Sequence, residues 1–391
     1  MSLFDQIDRA EIRARRQNEG TFDYMNSSAH PGICAVRELL DSWFEHLPEN
    51  ARADIRARFR SRDEVQHQSA WFEVFWHELL RCSGYQLDVH PPLANVRTSP
   101  DFLAKREGQS VFYLEATLAM PAADLAADRR LAELHDTLDR MESPDYFLEV
   151  QYRGSAEGNI RGRLLRERVE EWLEGLNFDD ISRMYQNQEY GGVPTFTWDD
   201  QGLSLTLTPF PKGPNFRGQA GARPVGAVVP MEMRMLRTHD DIRAAIEGKA
   251  TKYGVLDLPL VVAVNILDDF CDDVDIWNAL FGEEQLVAYR QADGQWSEEW
   301  GPRVPNGVWR GRNGARNRTV SAVSVTHQLS PTNLRNRSVE LIHNPWADHP
   351  LSPDALPLAQ RSVSPDGHIQ RRDGRSAADI LQIPNPWPVP D

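Results

Sequence analysis

The strongest periodic pattern of apolar and polar positions covers residues 67–83. Apolar side chains recur there at helical spacing and form one broad arc, as expected for a helix that packs against a core. Glu73 sits at the edge of the arc, so its carboxylate can reach the boundary between core and solvent. The arc consists of Trp71, Phe72, Phe75, Trp76, Leu79 and Leu80.

Three short strands are predicted after this helix, at about 85–90, 100–105 and 110–118. On the third, alternation places Val111, Tyr113, Glu115 and Thr117 on one face and apolar side chains on the other. A charged glutamate among apolar neighbours is unfavourable in a core strand unless it has a partner. Glu115 is therefore a candidate functional residue.

The second half of the chain predicts the rest of a sheet. An apolar run at 259–265 without alternation indicates a central strand covered on both faces, and a helix is predicted just before it, at 238–253. Strands at about 319–326 and 338–342 can extend the sheet. We therefore predict an α/β fold with a mixed central sheet flanked by helices. The predicted divisions are a helical segment at 1–66, an α/β domain at 67–343 with an insertion at about 121–235, and an extended proline-rich tail at 344–391.

Composition narrows the class of protein. The chain has 391 residues, of which 40% are hydrophobic and 26% charged, as is typical of a globular protein with a substantial core. Cys34, Cys82 and Cys271 are scattered, which argues against a disulfide framework or a zinc ribbon. The polar, charged N-terminus is not typical of a signal peptide, and no apolar run is long enough for a membrane span. We therefore expect a cytoplasmic protein without a membrane partner.

Charge is distributed unevenly along the chain. The net charge of −15 argues against a protein that coats nucleic acid non-specifically. Residues 301–339, however, contain seven arginines and no acidic residue. This asymmetry predicts a local basic surface that can contact phosphates. The candidate nucleic-acid contacts are Arg303, Arg310, Arg312, Arg316 and Arg318.

The triplet Ser-Pro-Asp occurs at 99–101, 143–145, 352–354 and 364–366. Only Asp101 is followed by a strand, a charged turn containing glycine and a second strand that presents a carboxylate, Glu115. With Glu73 on the preceding helix, this order resembles the PD-(D/E)XK nuclease superfamily, which has the restriction-endonuclease-like fold. The resemblance covers residues from about 67 to 118 and a later piece at 238–265. In the family pattern a lysine stands two residues after the strand glutamate, where this chain has Thr117.

A threonine can donate a hydrogen bond but cannot supply the positive charge of that lysine. The predicted helix at 238–253 offers a replacement. Lys249 projects from the middle of its apolar face and Lys252 lies at the edge of that face. A buried lysine needs a carboxylate partner, which Asp101 and Glu115 can provide. Lys249 can alternatively extend to the surface along its aliphatic stem.

The resemblance implies a metal-dependent endonuclease that hydrolyses phosphodiester bonds, with DNA favoured over RNA, in a defence or mobile-element setting. It implies Mg²⁺ or Mn²⁺ bound by Asp101, Glu115 and the main-chain carbonyl of Ala116, with Glu73 holding a second metal or a metal-bound water. Lys249 or Lys252 would then take the place of the absent strand lysine.

Two alternatives stay open at the level of sequence. One is a catalytically inactive scaffold of the same fold that binds nucleic acid or protein, which Thr117 and the net charge favour. The other is a metal-dependent hydrolase that acts on a small acidic metabolite or a nucleotide. The sequence also leaves open a homodimer or a protein partner.

Overall fold

The computed structural model describes residues 1–16, 18–93, 96–120, 125–154, 156–218, 224–230, 237–268, 271–290, 295–364 and 366–388. The chain forms two compact units. The sheet unit comprises Met1–Ala14, Gly20–Ala122 and Arg237–Asp391, and the inserted unit comprises Arg15–Glu19 and Ala123–Leu236. Of the insertion predicted at about 121–235, residues 121–124, 155, 219–223 and 231–235 lie outside the described stretches.

The helices of the described residues are numbered in chain order. They are α1 (Thr21–Ser27), α2 (Pro31–Glu45), α3 (Glu49–Phe59), α4 (Glu64–Cys82), α5 (Leu125–Asp139), α6 (Gly162–Glu174), α7 (Phe178–Gln186), α8 (Thr238–Ala250), α9 (Asp273–Phe281) and α10 (Ala377–Ile380). None of them combines the length and the apolar composition that a membrane crossing requires.

The strands are numbered in the same way. They are β1 (Gln86–Val89), β2 (Phe102–Arg106), β3 (Gln109–Ala119), β4 (Tyr146–Arg153), β5 (Phe196–Asp200), β6 (Leu203–Pro211), β7 (Val225–Pro230), β8 (Leu260–Ile266), β9 (Leu286–Arg290), β10 (Trp296–Trp300), β11 (Arg310–Gly311), β12 (Gly314–Ala315), β13 (Val320–His327), β14 (Glu340–His343), β15 (Ala359–Val363) and β16 (Ile369–Arg372).

A mixed sheet of eight described strands organises the sheet unit, in the order β1-β2-β3-β8-β13-β14-β15-β16. Strand β8 runs parallel to both of its neighbours, β3 and β13, while β1, β2 and β3 form an antiparallel meander. Every residue of β8 is buried, as the unbroken apolar run predicts for a strand with helices on both faces. The predicted mixed α/β class is confirmed.

Each face of the sheet has its own core. Val261 and Ala263 of β8 join the core that α4 covers, whereas Val262 and Val264 join the core under α8 and α9. This division follows from the alternation of side chains along a strand. Helix α4 begins where Asp63 accepts a hydrogen bond from the Val65 N–H. Its apolar arc is fully buried, as predicted.

Both ends of the chain belong to this unit, which corrects the predicted divisions. Of the predicted extended tail at 344–391, the described residues 344–364 and 366–388 belong to the folded unit, since β15 and β16 complete the sheet and Leu356, Leu358 and Ile380 enter the core on the α4 face. Phe44 and Phe59 of the N-terminal helices enter that same core. The prolines favour extended backbone, as predicted. The apolar residues between them, however, pack against the sheet and α4, so the segment is part of the fold.

The inserted unit has a four-stranded sheet of described residues in the order β5-β6-β4-β7. The hairpin predicted around 199–202 is present, with Asp200 paired to Leu203 across the turn. Residues of α5, α6 and α7 pack against β4 and β6 in a separate apolar cluster that contains Leu138, Val169 and Leu205. The insertion therefore has a core of its own.

Candidate active site

Asp101 and Glu115 meet because of the register between β2 and β3. Phe102, the first residue of β2, pairs with Leu114, so Asp101 lies opposite Glu115 at the point where β2 begins. The Asp101 N–H donates to Glu115 Oε2 at 3.2 Å, and the Ala116 N–H donates to Asp101 Oδ2 at 2.7 Å. Two hydrogen bonds between the residues of this pair of strands thus hold both carboxylates in place.

Backbone polarity adds a third oxygen to the same edge. The N–H and C=O of one strand residue point to the same side of the strand. Since the Ala116 N–H points towards Asp101, the Ala116 carbonyl also points towards that edge, beyond the last backbone pair between β2 and β3. Two carboxylates and one main-chain carbonyl therefore converge where β2 begins.

Two lysines of the α8 region reach Glu115. Lys249 Nζ lies 2.6 Å from Glu115 Oε1, and Lys252 Nζ lies 3.5 Å from the same oxygen. The Glu115 side chain is only 2% exposed, whereas that of Lys249 is 26% exposed. The apolar-stripe position of Lys249 predicts a carboxylate beneath it, and the structure places Glu115 there. The ammonium thus enters from α8, on the face of β3 that Glu115 and Thr117 share.

Tyr253 forms the apolar wall beside this pair. It is buried, and its hydroxyl lies next to the Glu115 carboxylate, although the angles are poor for a hydrogen bond. Burial, and then the nearby charges of Glu115 and Asp101, raise the pKa of its phenol far above the usual value. Tyr253 therefore stays a neutral, buried neighbour of the carboxylate pair.

Glu73 forms an ion pair that the sequence did not predict. Its two carboxylate oxygens each accept a hydrogen bond of 2.7 Å from Arg58 of α3, in a bidentate pair. Burial alone would lower the pKa of Arg58, but the bonds to Glu73 raise it, so the guanidinium stays charged. Both Glu73 oxygens are thus bonded to a fixed cation in this structure, and the expectation that Glu73 holds a metal or a metal-bound water stays a prediction. Glu73 contributes negative charge near Asp101.

Asp101 is the carboxyl of the site that is least favourable to ionise. Burial raises its pKa well above 3.8, and the like charges of Glu115 and Glu73 raise it further. The hydrogen bond from Ala116 and the charge of Lys249 oppose this shift without cancelling it. The residue as a whole is half-buried, and its carboxyl group lies among protein atoms. No ion pair joins Asp101 to another described residue, so a cation bound here would relieve repulsion.

Replacement of Arg58 by Ala is expected to lower the free energy of unfolding by about 2–4 kcal/mol, because it leaves the largely buried Glu73 without a counter-charge. Urea denaturation measures the change. Arg62→Ala is the control, since Arg62 is 88% exposed and its pair with Asp23 should contribute less than about 1 kcal/mol. The double change Arg58→Ala with Glu73→Gln should recover most of the loss, and a double variant as unstable as the single one would contradict this role of the pair.

Neighbouring groups on α4 have structural roles. The Glu78 carboxylate accepts hydrogen bonds from Arg81 at 2.7 and 2.8 Å and lies 3.0 Å from a ring nitrogen of His46. His77 is buried against Phe102, and burial lowers its pKa to about 4. His77 is therefore a neutral packed side chain at neutral pH.

The arginine-rich stretch is only partly available for phosphates. Arg303 pairs with Glu284, Arg318 lies 2.6 Å from Asp348, and Arg316 lies 2.8 Å from Glu247 of α8. Arg316 thus contacts the helix that carries Lys249, but its charge is balanced. Arg310 and Arg312 have no ion-pair partner among the described residues. Of the five candidate nucleic-acid contacts, only Arg310 and Arg312 thus carry an unbalanced charge among the described residues, and Arg312 is exposed.

A further group of potential metal ligands lies elsewhere in the sheet unit. Ligand atoms of His239, Asp240 and Glu283 lie within 4.8 Å of one another. Arg243, however, is 2.7 Å from Asp240, and Arg237 is 3.0 Å from Glu283. These carboxylates are already neutralised by arginines, so the group is best described as an ion-pair network.

The Asp101 edge fits a divalent cation better. Its donors are carboxylate and carbonyl oxygens, which Mg²⁺ and Mn²⁺ prefer, and Asp101 lacks a direct cationic partner among the described residues. Comparison with protein-family models, with curated proteins and with solved structures found no match to this chain. The geometry of the chain itself must therefore support any assignment.

Two residues of the site carried no signal in the sequence. Arg58 lies in a helix with several other arginines, and nothing in its spacing indicates a partner on α4. Tyr253 is the last residue of the helix predicted at 238–253, and nothing in that position marks it as a neighbour of the site. A carboxylate at the edge of an apolar helix face indicates that a cation lies nearby, but it does not indicate which of the chain's arginines or lysines that cation is.

Proposed function

We propose that this protein is a metal-dependent phosphodiester hydrolase with the restriction-endonuclease-like arrangement of its site. The observation that carries the proposal is the convergence of Asp101, Glu115, the Ala116 carbonyl and the Lys249 ammonium at one sheet edge. Hydrolysis of a phosphodiester needs oxygen ligands for a cation and a fixed positive charge near the reacting phosphate, and this edge supplies both.

Asp101, Glu115 and the Ala116 carbonyl would hold Mg²⁺ or Mn²⁺. When bound, such an ion supplies Lewis acidity that activates water and neutralises the leaving oxygen. Lys249, held by Glu115, would direct its charge at the phosphate and so provide what Thr117 cannot. Glu73 and Arg58 would set the local field and keep α3 and α4 in place behind Asp101.

A nucleic acid is the proposed substrate, and DNA is favoured over RNA only by the family resemblance. The unpaired Arg310 and Arg312 would contact phosphates outside the site. With few such cations and a net charge of −15, binding should be weak in salt and should rely on contacts near the site. A cytoplasmic location and a defence or mobile-element role accompany the proposal as further inferences from the resemblance.

The test is cleavage of plasmid and oligonucleotide DNA and RNA by the full chain with Mg²⁺ or Mn²⁺, compared with EDTA. Glu115→Gln should lose cleavage and should also lose Mn²⁺ binding measured by calorimetry, because one ligand charge is removed. Glu107→Gln is the matched control, as Glu107 is an exposed carboxylate at the turn between β2 and β3. Cleavage that persists in EDTA, or unchanged Mn²⁺ binding by Glu115→Gln, would contradict the proposal.

The second candidate is the inactive scaffold. The contacts of Glu115 with Lys249 and of Glu73 with Arg58 favour it, because both carboxylates have a cationic partner without any metal. Under this alternative Mn²⁺ would not bind at the site and nucleic acid would bind without being cut. The calorimetry and the cleavage assay together separate the two candidates.

A further inference from the structure

A large cavity opens on the far half of the sheet, away from Asp101. It has a volume of about 850 Å³ and is lined by α9, by the chain after β14 and by the turn between β15 and β16. Three aromatic rings form one wall: Trp277 stacks on Phe281 at 5.2 Å between ring centroids, and Phe281 meets Trp346 at 6.0 Å. Trp277 and Phe281 are buried, whereas Trp346 is 38% exposed.

One arginine of the cavity wall can meet an anionic group of a ligand. The two carboxylates of the wall have ion-pair partners, since Asp273 lies 2.9 Å from Arg361, which also pairs with Glu340, and Glu284 pairs with Arg303. Arg310 also lines the cavity, and it has no ion-pair partner among the described residues. The charged residues that line the cavity are thus two carboxylates and two arginines, and among them Arg310 is the one whose charge is left for a ligand. A flat ring with an attached anion matches both features.

The cavity lies on the same sheet face as the candidate active site. Val363 of β15 packs against the core under α8 and α9, the core that also contains Tyr113, and Glu115 shares the face of Tyr113. Four strand spacings separate β3 from β15 in the sheet. At about 4.8 Å per spacing the distance is roughly 19 Å, which corresponds to about six stacked nucleotides at about 3.4 Å each.

We propose that this cavity binds an unpaired nucleobase of a nucleic acid strand whose backbone continues to the Asp101 edge. The inference rests on the proposed function and deepens it, since it names a strand with at least one unpaired base as the preferred ligand. Trp346 offers its accessible ring for stacking, and Arg310 neutralises the adjoining phosphate. Stacking on an aromatic ring is tolerant of base identity because every base has a π-face. A base inside a continuous duplex cannot enter the cavity unless it leaves the stack.

The segment between the cavity and α8 supports this path. Arg310 begins the short β11–β12 hairpin, Arg312 is exposed within it, and Arg316 after it contacts Glu247 of α8. The Thr319 hydroxyl then donates to the Ala250 carbonyl at the end of α8 at 3.2 Å. The two unpaired arginines therefore lie on a segment that leads from the cavity to the helix of Lys249.

The experiment measures binding of a fluorescent twelve-nucleotide single strand in EDTA, so that no cleavage is needed. Trp346→Ala and Arg310→Ala should each weaken binding, the first by roughly 5- to 100-fold. Trp346→Phe keeps a ring and should restore most of the affinity, which separates stacking from a folding defect. Trp300→Ala is the control, because Trp300 is a 72% exposed tryptophan on β10 that does not line the cavity.

A blunt duplex of the same length should bind more weakly than the single strand and should respond little to Trp346→Ala. The inference would be overturned if Trp346→Ala lost the same factor of affinity for the single strand and for the duplex. It would also be overturned if Trp346→Ala and Arg310→Ala bound the single strand as tightly as the unchanged protein. Its failure is distinct from failure of the catalytic proposal. The Trp346 result is read from binding in EDTA, whereas the catalytic proposal is decided by metal-dependent cleavage and by Mn²⁺ binding of Glu115→Gln.

Discussion

Asp101→Asn is expected to abolish metal-dependent cleavage and at the same time to stabilise the metal-free protein at neutral pH. Asparagine keeps an oxygen that can accept the Ala116 N–H but removes a negative charge close to Glu115 and Glu73. The gain should be about 0.5–2 kcal/mol, the usual size when one unfavourable interaction at a functional site is relieved. Loss of activity should exceed about 10³-fold, because a charged ligand is lost.

The sign of the pH dependence follows from the raised pKa of Asp101. The folded protein holds the Asp101 proton more tightly than the unfolded chain does, so ionisation of this group costs stability. That cost is absent below the ordinary pKa of 3.8 and develops as pH rises above it. The advantage of Asp101→Asn should therefore be largest near pH 7 and should vanish near pH 4. Urea denaturation in EDTA at several pH values measures it.

Two comparisons make this prediction specific. Asp88→Asn changes an aspartate on the neighbouring strand β1 that is 48% exposed and pairs with Lys105, so no stabilisation is expected. Glu115→Gln should act in the opposite direction, lowering the free energy of unfolding by about 1–3 kcal/mol because Lys249 loses its partner. Stabilisation by both Asp101→Asn and Glu115→Gln, or by neither, would contradict the proposed distribution of charge.

Lys249→Ala is expected to lower the rate of cleavage by roughly 10²–10³-fold and to leave substrate binding nearly unchanged. The ammonium lies 2.6 Å from Glu115 and is 26% exposed, so it is both held in place and open to a phosphate. A charge that acts on the transition state affects kcat more than KM. Single-turnover cleavage at saturating enzyme, combined with binding in EDTA, measures both quantities.

Lys252→Ala and Thr117→Ala are the matched controls for Lys249. Lys252 is farther from Glu115, at 3.5 Å, and Thr117 supplies no charge, so both changes should cost much less. If Lys249→Ala cleaves at the native rate, Lys252 becomes the candidate for the lysine that acts on the phosphate. If neither lysine change altered the rate of cleavage, the proposed catalytic role of a lysine from the α8 region would be wrong.

Local periodicity was enough to predict much of the fold. The arc of α4, the alternation of β3, the apolar run of β8 and the hairpin of the inserted unit all depend on residues close together in the chain, and the structure contains each of them. The position of Glu115 in an apolar strand and of Lys249 in an apolar helix face predicted that each needs a partner. That Glu115 and Lys249 are partners of one another could be predicted only with the order of elements that the family resemblance implies.

Only the tertiary structure decided which distant groups meet. Arg58 and Glu73 are joined because α3 and α4 pack side by side, and helical spacing within α3 contains no information about that contact. The described residues of 344–388 extend the sheet by β15 and β16, and their apolar side chains enter a core shared with helices far away in sequence. Trp277, Trp346 and Arg310 come from three separate segments, so their cavity exists only after the sheet has formed. The sequence by itself determined the elements and the charges that need partners, because backbone periodicity and burial costs are local. Packing of the elements determined which partner each charge found, because those contacts join residues that are distant in the chain.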